Sequence, residues 1–333
     1  MKTKTSNHAT PLPGFAKVPI RLYWLAALAV ALSATLDAGS QDVTGKPKGA
    51  VAKAEFVRAK TKDGIWLHGA LWPPPAGKPR VGIVLTGGTQ TEFYSLSDWG
   101  EQFARAGYLT LALNRRDHGA RFGYEKLKPS SLDLREAVDL LAERGTERVV
   151  LVGTSYGTIT VSYYLANAKD SRVKAAILYA PLGDLRAATV KMLGSQEAYD
   201  EAVNAARQMV AAGRGGETYQ MPSSRGADGR PMLHSYEVFL DKRGPDSKAA
   251  PVELLRRVGN IPLLAVRDPG DPFPGTLPPA QKQLEEANNN LRYVLLPDTR
   301  GGEMDARAHS FFGREEEVLR ITLEWLKKHD LGP

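Results

Sequence analysis

The chain has 333 residues, of which 42% are apolar and 24% are charged, a balance typical of a globular protein with an ample core. It contains no cysteine, which excludes disulfide bonds, thiolate metal sites, a cysteine nucleophile and a lipid anchor on cysteine. The net charge of +7 comes without the long Lys/Arg run typical of nucleic-acid binding, so we expect no nucleic-acid partner.

The first 40 residues have the pattern of a targeting segment. Lys17 and Arg21 precede an apolar run from Leu22 to Leu32. This run is shorter than the ~20 residues that span a bilayer, and it has the length of a signal-peptide core. We therefore expect residues 1–40 to act as a signal peptide or an N-terminal anchor. The protein is then exported to the periplasm or the medium, and its only membrane contact is through that segment.

Residues 41–52 are rich in Gly, Lys and polar residues, and we interpret them as a linker. From Lys53 onward, short apolar runs alternate with amphipathic segments, a pattern typical of a mostly parallel sheet with helices on both faces. The predicted strands are 55–59, 65–72, 81–85, 108–113, 149–152, 173–179, 262–266 and 292–296. The predicted helices of this alternating part are 97–106, 132–143, 156–168 and 314–328.

The alternation stops at about residue 182 and resumes at about residue 252. Between these points no segment has a convincing strand pattern, and the clearest element is a helix over 197–212 that ends before Gly213. We therefore predict an α/β core made of residues 53–182 and 252–333, interrupted by a helical cap insertion over residues 183–251.

The strongest chemical signal is the G-x-S-x-G pattern of Gly153-Thr154-Ser155-Tyr156-Gly157. This pattern places a serine on a sharp, strained turn from a strand to a helix, where bulky neighbours would clash. The flanking residues fit, because an apolar strand precedes the pattern and a predicted helix follows it. Ser155 is therefore the predicted nucleophile, against the simpler interpretation of a glycine-flanked structural turn.

A serine nucleophile needs a histidine base, which follows the serine in chain order when this motif is used. Three histidines follow Ser155: His234, His309 and His329. His329 falls in the tail of the last helix and His234 falls in the insertion, whereas His309 lies between the last strand and the last helix. We therefore predict His309 as the base.

The carboxylate that orients the base is expected after the strand 262–266. Asp268 and Asp271 are both candidates there, and the one that is not used would be a turn former beside Pro269 and Gly270. Asp271 is favoured because the Pro-Gly turn can direct it towards the neighbouring loop that carries His309.

Two backbone N–H groups are expected to stabilise the oxyanion. One belongs to Tyr156, the residue after the nucleophile, and the other to the loop after the strand 81–85. Gly88 is the predicted donor in that loop, with Thr89 as the alternative.

From about Lys53 to the C-terminus the chain resembles the α/β-hydrolase superfamily. Residues 114–119, Asn-Arg-Arg-Asp-His-Gly, resemble the superfamily's D-x-R-G-x-G turn, with Asp117 in place of a glycine. His118 in this turn is then structural. Thr86-Gly87-Gly88 resembles the superfamily's His-Gly segment, with Thr86 in place of histidine.

The resemblance also bears on the acid and on the insertion. The superfamily often shows Gly-x-x-Asp in the acid loop, which puts Asp268 at the glycine position and Asp271 at the acid position. The insertion lies where the superfamily carries its cap, and it faintly resembles the caps of serine esterases and serine aminopeptidases.

These features predict a serine hydrolase with an α/β-hydrolase fold that cleaves a carboxylic ester through an acyl-enzyme. The alternatives are an amidase or peptidase with the same triad, and a binding protein of another class that uses the fold without catalysis. The expected partner is a small-molecule ester or amide. The sequence shows no metal-ligand spacing, and the mechanism requires no cofactor.

Overall fold

The computed structural model describes residues 53–225, 231–273 and 278–333. In this part of the chain, ten strands are formed: β1 (Glu55–Lys60), β2 (Trp66–Trp72), β3 (Val81–Thr86), β4 (Leu109–Leu113), β5 (Arg148–Thr154), β6 (Val173–Tyr179), β7 (Thr218–Arg225), β8 (Pro231–Ser235), β9 (Leu263–Arg267) and β10 (Leu291–Leu295). Eight of them form one sheet in the order β1-β2-β4-β3-β5-β6-β9-β10. The pairs β1–β2 and β2–β4 are antiparallel, and the remaining pairs of this sheet are parallel.

The described helices are α1 (Ser97–Arg105), α2 (Ser130–Glu143), α3 (Tyr156–Ala168), α4 (Leu185–Leu193), α5 (Gln196–Ala211), α6 (Tyr236–Arg243), α7 (Pro251–Arg257), α8 (Pro278–Ala287) and α9 (Glu315–Lys328). Side chains alternate between the two faces of each strand, so the buried sheet supports two cores. Val84 and Leu151 face the core that also contains residues of α2, α3 and α7. Ile83 and Val150 face the opposite core, with residues of α1 and α9. The prediction of a mostly parallel sheet with helices on both faces is confirmed.

The stretch between β6 and β9 contributes α4 to α7 and the hairpin β7–β8, and no described residue in it joins the main sheet. Tyr199 and Phe239 are buried in a small core of its own, between α5 and α6. The expectation of a stretch without strands was wrong. A proline within Thr218–Arg225 weakens the strand pattern there, and proline in strands is confined to edges and irregular positions. The hairpin has only two strands and does carry a break in register.

Two sequence predictions, the targeting segment 1–40 and the linker 41–52, lie outside the described residues. Among the residues that are described, no helix has the length and apolar character needed to cross a bilayer.

The carboxyl ends of the parallel strands bring four loops to one edge of the sheet. These are the loops after β3, β5, β9 and β10, and they carry Gly88, Ser155, Asp271 and His309 respectively. The topology therefore places all the predicted site residues at the same edge.

Candidate active site

Ser155 occupies the turn between β5 and α3 in a strained backbone conformation, with φ 54° and ψ −123°. Such a conformation is rare for a residue other than glycine, and it persists only where the surroundings enforce it. The Ser155 N–H donates to the carbonyl of Tyr179 at 2.9 Å, which ties the turn to β6. The serine is partly exposed while Tyr156 beside it is buried.

The glycines of the motif are required by close backbone contacts. A Cβ at Gly153 would lie 2.5 Å from the carbonyl oxygen of Gly157. A Cβ at Gly157 would lie 2.4 Å from the carbonyl oxygen of Thr86, the last residue of β3, and 2.7 Å from that of Gly87 in the loop that follows. All these distances are shorter than any real Cβ contact, so the start of α3 approaches the neighbouring loop as closely as backbone allows.

His309 and Asp271 are in direct contact. His309 Nδ1 lies 2.8 Å from Asp271 Oδ2, and the Asp271 side chain is fully buried. The second oxygen, Oδ1, accepts the Phe273 N–H at 3.0 Å, which fixes the carboxylate. His309 sits in a short 3-10 turn, Ala306–Ser310. A carboxylate on Nδ1 holds the ring so that Nε2 is available as a proton acceptor.

Asp268 has different partners. Its Oδ1 accepts the Gly270 N–H at 2.8 Å, and its Oδ2 lies 3.2 Å from Arg314 Nη1. It is as buried as Asp271, and among the described residues no hydrogen bond or ion pair joins it to His309. The structure therefore gives Asp268 the contacts of a turn former anchored to the start of α9.

A cavity of about 290 Å³ contains Ser155 and His309 together, at the edge of the sheet where the loops meet. No hydrogen bond joins the two side chains among the described residues, which is common where a site tightens only around its substrate. The lining is mainly apolar: Leu96, Trp99, Leu182, Leu185, Ala188, Met192, Phe273 and Phe311. Arg243 of α6 also lines the cavity, and its Nη1 donates to Thr189 Oγ1 at 3.1 Å.

The two predicted oxyanion donors flank Ser155. Gly88 lines the cavity, and a Cβ on it would lie 2.8 Å from Ser155 Cβ and 3.2 Å from Ser155 Oγ. Tyr156 begins α3, where the first N–H groups have no acceptor within the helix. Thr89, the alternative to Gly88, lines the same cavity.

His118, His234 and His329 do not line this cavity. His234 is buried in β8, with its ring 5.7 Å from that of Phe122. His329 packs on Trp325 at the end of α9. His118 Nδ1 lies 2.8 Å from the carbonyl of Arg115 in its own turn.

Four residues with roles near the site were not predicted from the sequence: Arg115, Lys242, Arg243 and Phe273. Arg115 reaches back to the end of β3 and the start of the next loop, where its Nη1 donates to Thr86 Oγ1 at 2.5 Å and to the Gly87 carbonyl at 2.7 Å. Asp117 was a signal for this arrangement, because a carboxylate in place of a glycine in a buried turn needs a positive partner.

His234 is a buried base whose ring nitrogens have no hydrogen-bond partner among the described residues. Burial, with the charges of Arg243 and Lys242, lowers its pKa from 6.5 to about 3. The folded state therefore resists a proton that the unfolded chain accepts below pH 6.5. This contribution to stability is complete above pH 6.5 and is lost as the pH falls towards 3.

We expect His234→Leu to remove this acid sensitivity. When the pH is lowered from 7 to 4.5, the unfolding free energy of the wild type should fall by about 2–3 kcal/mol more than that of the leucine variant. The reason is that His234 takes up a proton in the unfolded chain but stays neutral in the folded protein. Urea unfolding at the two pH values measures the difference, with the exposed His68→Leu as the matched control. Equal losses in the wild type and His234→Leu would contradict the prediction.

Comparison with known proteins identifies the fold. Residues 85–229 match the family model described as Protein of unknown function (DUF1749). No curated protein matches the chain.

No described group of His, Asp and Glu side chains has an arrangement that could hold a metal ion.

Solved structures with similar folds are numerous. The α/β hydrolase GrgF from Penicillium sp. sh18 is 17% identical, with a TM-score of 0.59 over 83% of this chain and 99% of that chain. A thermostable carboxyl esterase from Bacillus coagulans is 13% identical, with a TM-score of 0.63 over 83% and 98% of the two chains. Est1E from Butyrivibrio proteoclasticus, solved with ferulic acid bound, is 16% identical, with a TM-score of 0.59 over 80% and 98%. At these identities the likeness concerns the fold, and on that ground the chain is a protein of the α/β-hydrolase fold.

Proposed function

We propose that this protein is a serine hydrolase that cleaves carboxylic esters through an acyl-enzyme intermediate. The observation that carries the proposal is the juxtaposition of three side chains at one edge of the sheet. Ser155 stands on a strained turn, His309 lines the same cavity, and His309 Nδ1 lies 2.8 Å from the buried Asp271. The fold's esterase members support the choice of an ester.

In the proposed reaction, Ser155 Oγ attacks the ester carbonyl carbon while His309 Nε2 takes the hydroxyl proton. The negative charge that forms on the carbonyl oxygen is stabilised by the N–H groups of Tyr156 and Gly88. Collapse of this intermediate expels the alcohol, which receives the proton from His309 and leaves the acyl group on Ser155. Water then attacks the acyl-enzyme, with His309 again as the base, and releases the carboxylic acid. Asp271 stabilises the charged imidazole in both halves.

The cavity supports a substrate of modest size with an apolar acyl or alcohol group. Its volume of about 290 Å³ falls at the small end of ligand sites, and its walls are mainly aliphatic and aromatic. An ester of a short- or medium-chain acid fits this lining better than a long polar peptide. The residues 1–40 remain proposed as an export segment, which would place the reaction outside the cytoplasm.

Reaction with a fluorophosphonate probe tests the enzyme against a binding protein without catalysis. We expect the full-length protein to be labelled at Ser155, as located by mass spectrometry of the modified peptide. A panel of p-nitrophenyl esters from acetate to octanoate, beside aminoacyl p-nitroanilides, then separates an esterase from an amidase. Turnover of the anilides but not of the esters would replace the ester proposal, and a folded protein that is neither labelled nor active would refute both.

A further inference from the structure

Three buried charged side chains form a cluster next to the loop that carries Gly88. Arg115 and Asp117 follow β4, and Lys242 belongs to α6. Arg115 Nε donates to Asp117 Oδ1 at 2.9 Å, and Lys242 Nζ lies 3.6 Å from Asp117 Oδ2. At most 5% of each residue is exposed. Charges buried this deeply need partners, and here the partners are one another and the backbone around them.

Arg115 connects this cluster to the loop after β3. Its Nη1 donates to the Gly87 carbonyl at 2.7 Å, and that carbonyl belongs to the same peptide unit as the Gly88 N–H. In a planar trans peptide the C=O and N–H groups point in opposite directions. The carbonyl is also packed against the start of α3, since a Cβ at Gly157 would lie 2.7 Å from it. With its carbonyl held there, the peptide directs the Gly88 N–H away from Arg115.

We propose that Arg115 is a positioning residue for the oxyanion hole, fixing the Gly87–Gly88 peptide so that the Gly88 N–H faces the substrate oxygen at Ser155. The proposal rests on the proposed function, because an oxyanion hole has a role only if Ser155 transfers an acyl group. It also selects Gly88 over Thr89 as the donor, since the Gly88 N–H belongs to the anchored peptide.

Asp117 and Lys242 keep the guanidinium in place. Burial alone would raise the pKa of Asp117, but the charges of Arg115 and Lys242 hold that pKa below its usual value. The carboxylate is therefore ionised and fixes the Nε edge of Arg115. Lys242 Nζ donates to the Phe122 carbonyl at 2.8 Å and lies 3.5 Å from the Phe122 ring centroid.

The same cluster supports the second proposed donor. The Tyr156 ring packs edge-on against Phe122, with ring centroids 4.8 Å apart, and Lys242 Nζ lies 5.2 Å from the Tyr156 centroid. The buried charged cluster thus lies against both proposed donors. Arg115 binds the peptide that carries the Gly88 N–H, and Lys242 lies near the ring of Tyr156.

The neighbouring Arg116 has a different function in the fold. Its guanidinium binds Asp63 at 2.6 Å and Asp133 at 2.8 Å, which joins the turn after β1 to α2. Among the described residues, no hydrogen bond or ion pair joins Arg116 to the loop after β3. A positioning role is therefore specific to Arg115 and does not follow from a buried arginine in this turn.

The test compares ester hydrolysis by the wild type, Arg115→Met, Arg115→Lys and the double variant Arg115→Met/Asp117→Asn. The two methionine variants leave different charges buried: Asp117 beside Lys242 at 3.6 Å in the single variant, and Lys242 on the Phe122 carbonyl in the double variant. Loss of an aligned donor should lower kcat by about 10–100-fold and change KM by less than about threefold. Arg115→Lys, which keeps one charged donor, should recover part of kcat.

A second readout separates alignment from general damage. An alkyl trifluoromethyl ketone accepts Ser155 Oγ at its carbonyl carbon, with the proton passing to His309, and leaves an oxyanion in the hole. Its affinity should fall in parallel with kcat in the methionine variants. Arg172→Met is the control. Arg172 directly precedes β6, at the end of the strands opposite to the site, and it binds Asp170 and Asp139 there. This variant should leave kcat and ketone affinity unchanged.

The outcomes are distinguishable. Folded Arg115 variants that keep wild-type kcat and ketone affinity would overturn the positioning role and leave the serine hydrolase intact. A rise in KM at constant kcat would also overturn it, since Arg115 would then act in ground-state binding. A wild type that neither reacts with a fluorophosphonate nor hydrolyses esters would refute the proposed function, and this inference with it.

Discussion

Ser155→Ala is expected to abolish fluorophosphonate labelling and to lower kcat for esters by at least ~10⁴-fold, because Ser155 Oγ is the atom that carries the acyl group in the proposed mechanism. The residual rate then reflects the oxyanion hole and substrate binding alone. The strained backbone at φ 54° is about equally unfavourable for alanine and for serine, so the thermal midpoint of the variant should stay close to that of the wild type.

The matched control is Ser162→Ala. Ser162 lies two turns further along α3, is buried, and does not line the cavity. It should keep both labelling and kcat. Near-normal turnover by a folded Ser155→Ala protein, with circular dichroism as the check on folding, would rule out Ser155 as the nucleophile.

The core of the fold could be predicted because its signals are local. Each parallel strand is a short apolar run, and the observed bounds of α3 and β6 are those expected from the sequence. The position of Ser155 follows from steric limits that only glycine meets at positions 153 and 157. Chain order then leaves few choices for the histidine and the acid.

The surroundings of the site could not be predicted in the same way, because they depend on contacts between distant segments. Arg115 meets Thr86 across 29 positions, and Lys242 meets Phe122 across 120. No periodicity or spacing records such a contact. The hairpin β7–β8 was missed for a different reason, since its first strand reads TYQMPSSR, where apolar residues are few and a proline interrupts the pattern.

The second large effect is expected at Asp271. Asp271→Asn should lower kcat by up to ~10⁴-fold, because an amide on Nδ1 no longer secures the imidazole tautomer that accepts the serine proton. The structure supports a loss of rate without unfolding. The Phe273 N–H can still donate to the amide oxygen at Oδ1, and the volume of the side chain hardly changes.

Asp268→Asn is the informative comparison, because Asp268 follows the same strand and is equally buried. Its oxygens hold the Gly270 N–H and Arg314, and Arg314 also donates to Glu317 and to the Pro297 carbonyl. Losing its charge should cost about 1–2 kcal/mol of unfolding free energy while kcat stays within about threefold of the wild type. Ester kinetics and urea unfolding of the two variants measure both quantities. If Asp268→Asn were the inactive variant and Asp271→Asn the destabilised one, the contact between Asp271 and His309 would have no part in catalysis, and the acid would have to reach the imidazole from Asp268 through a rearranged loop.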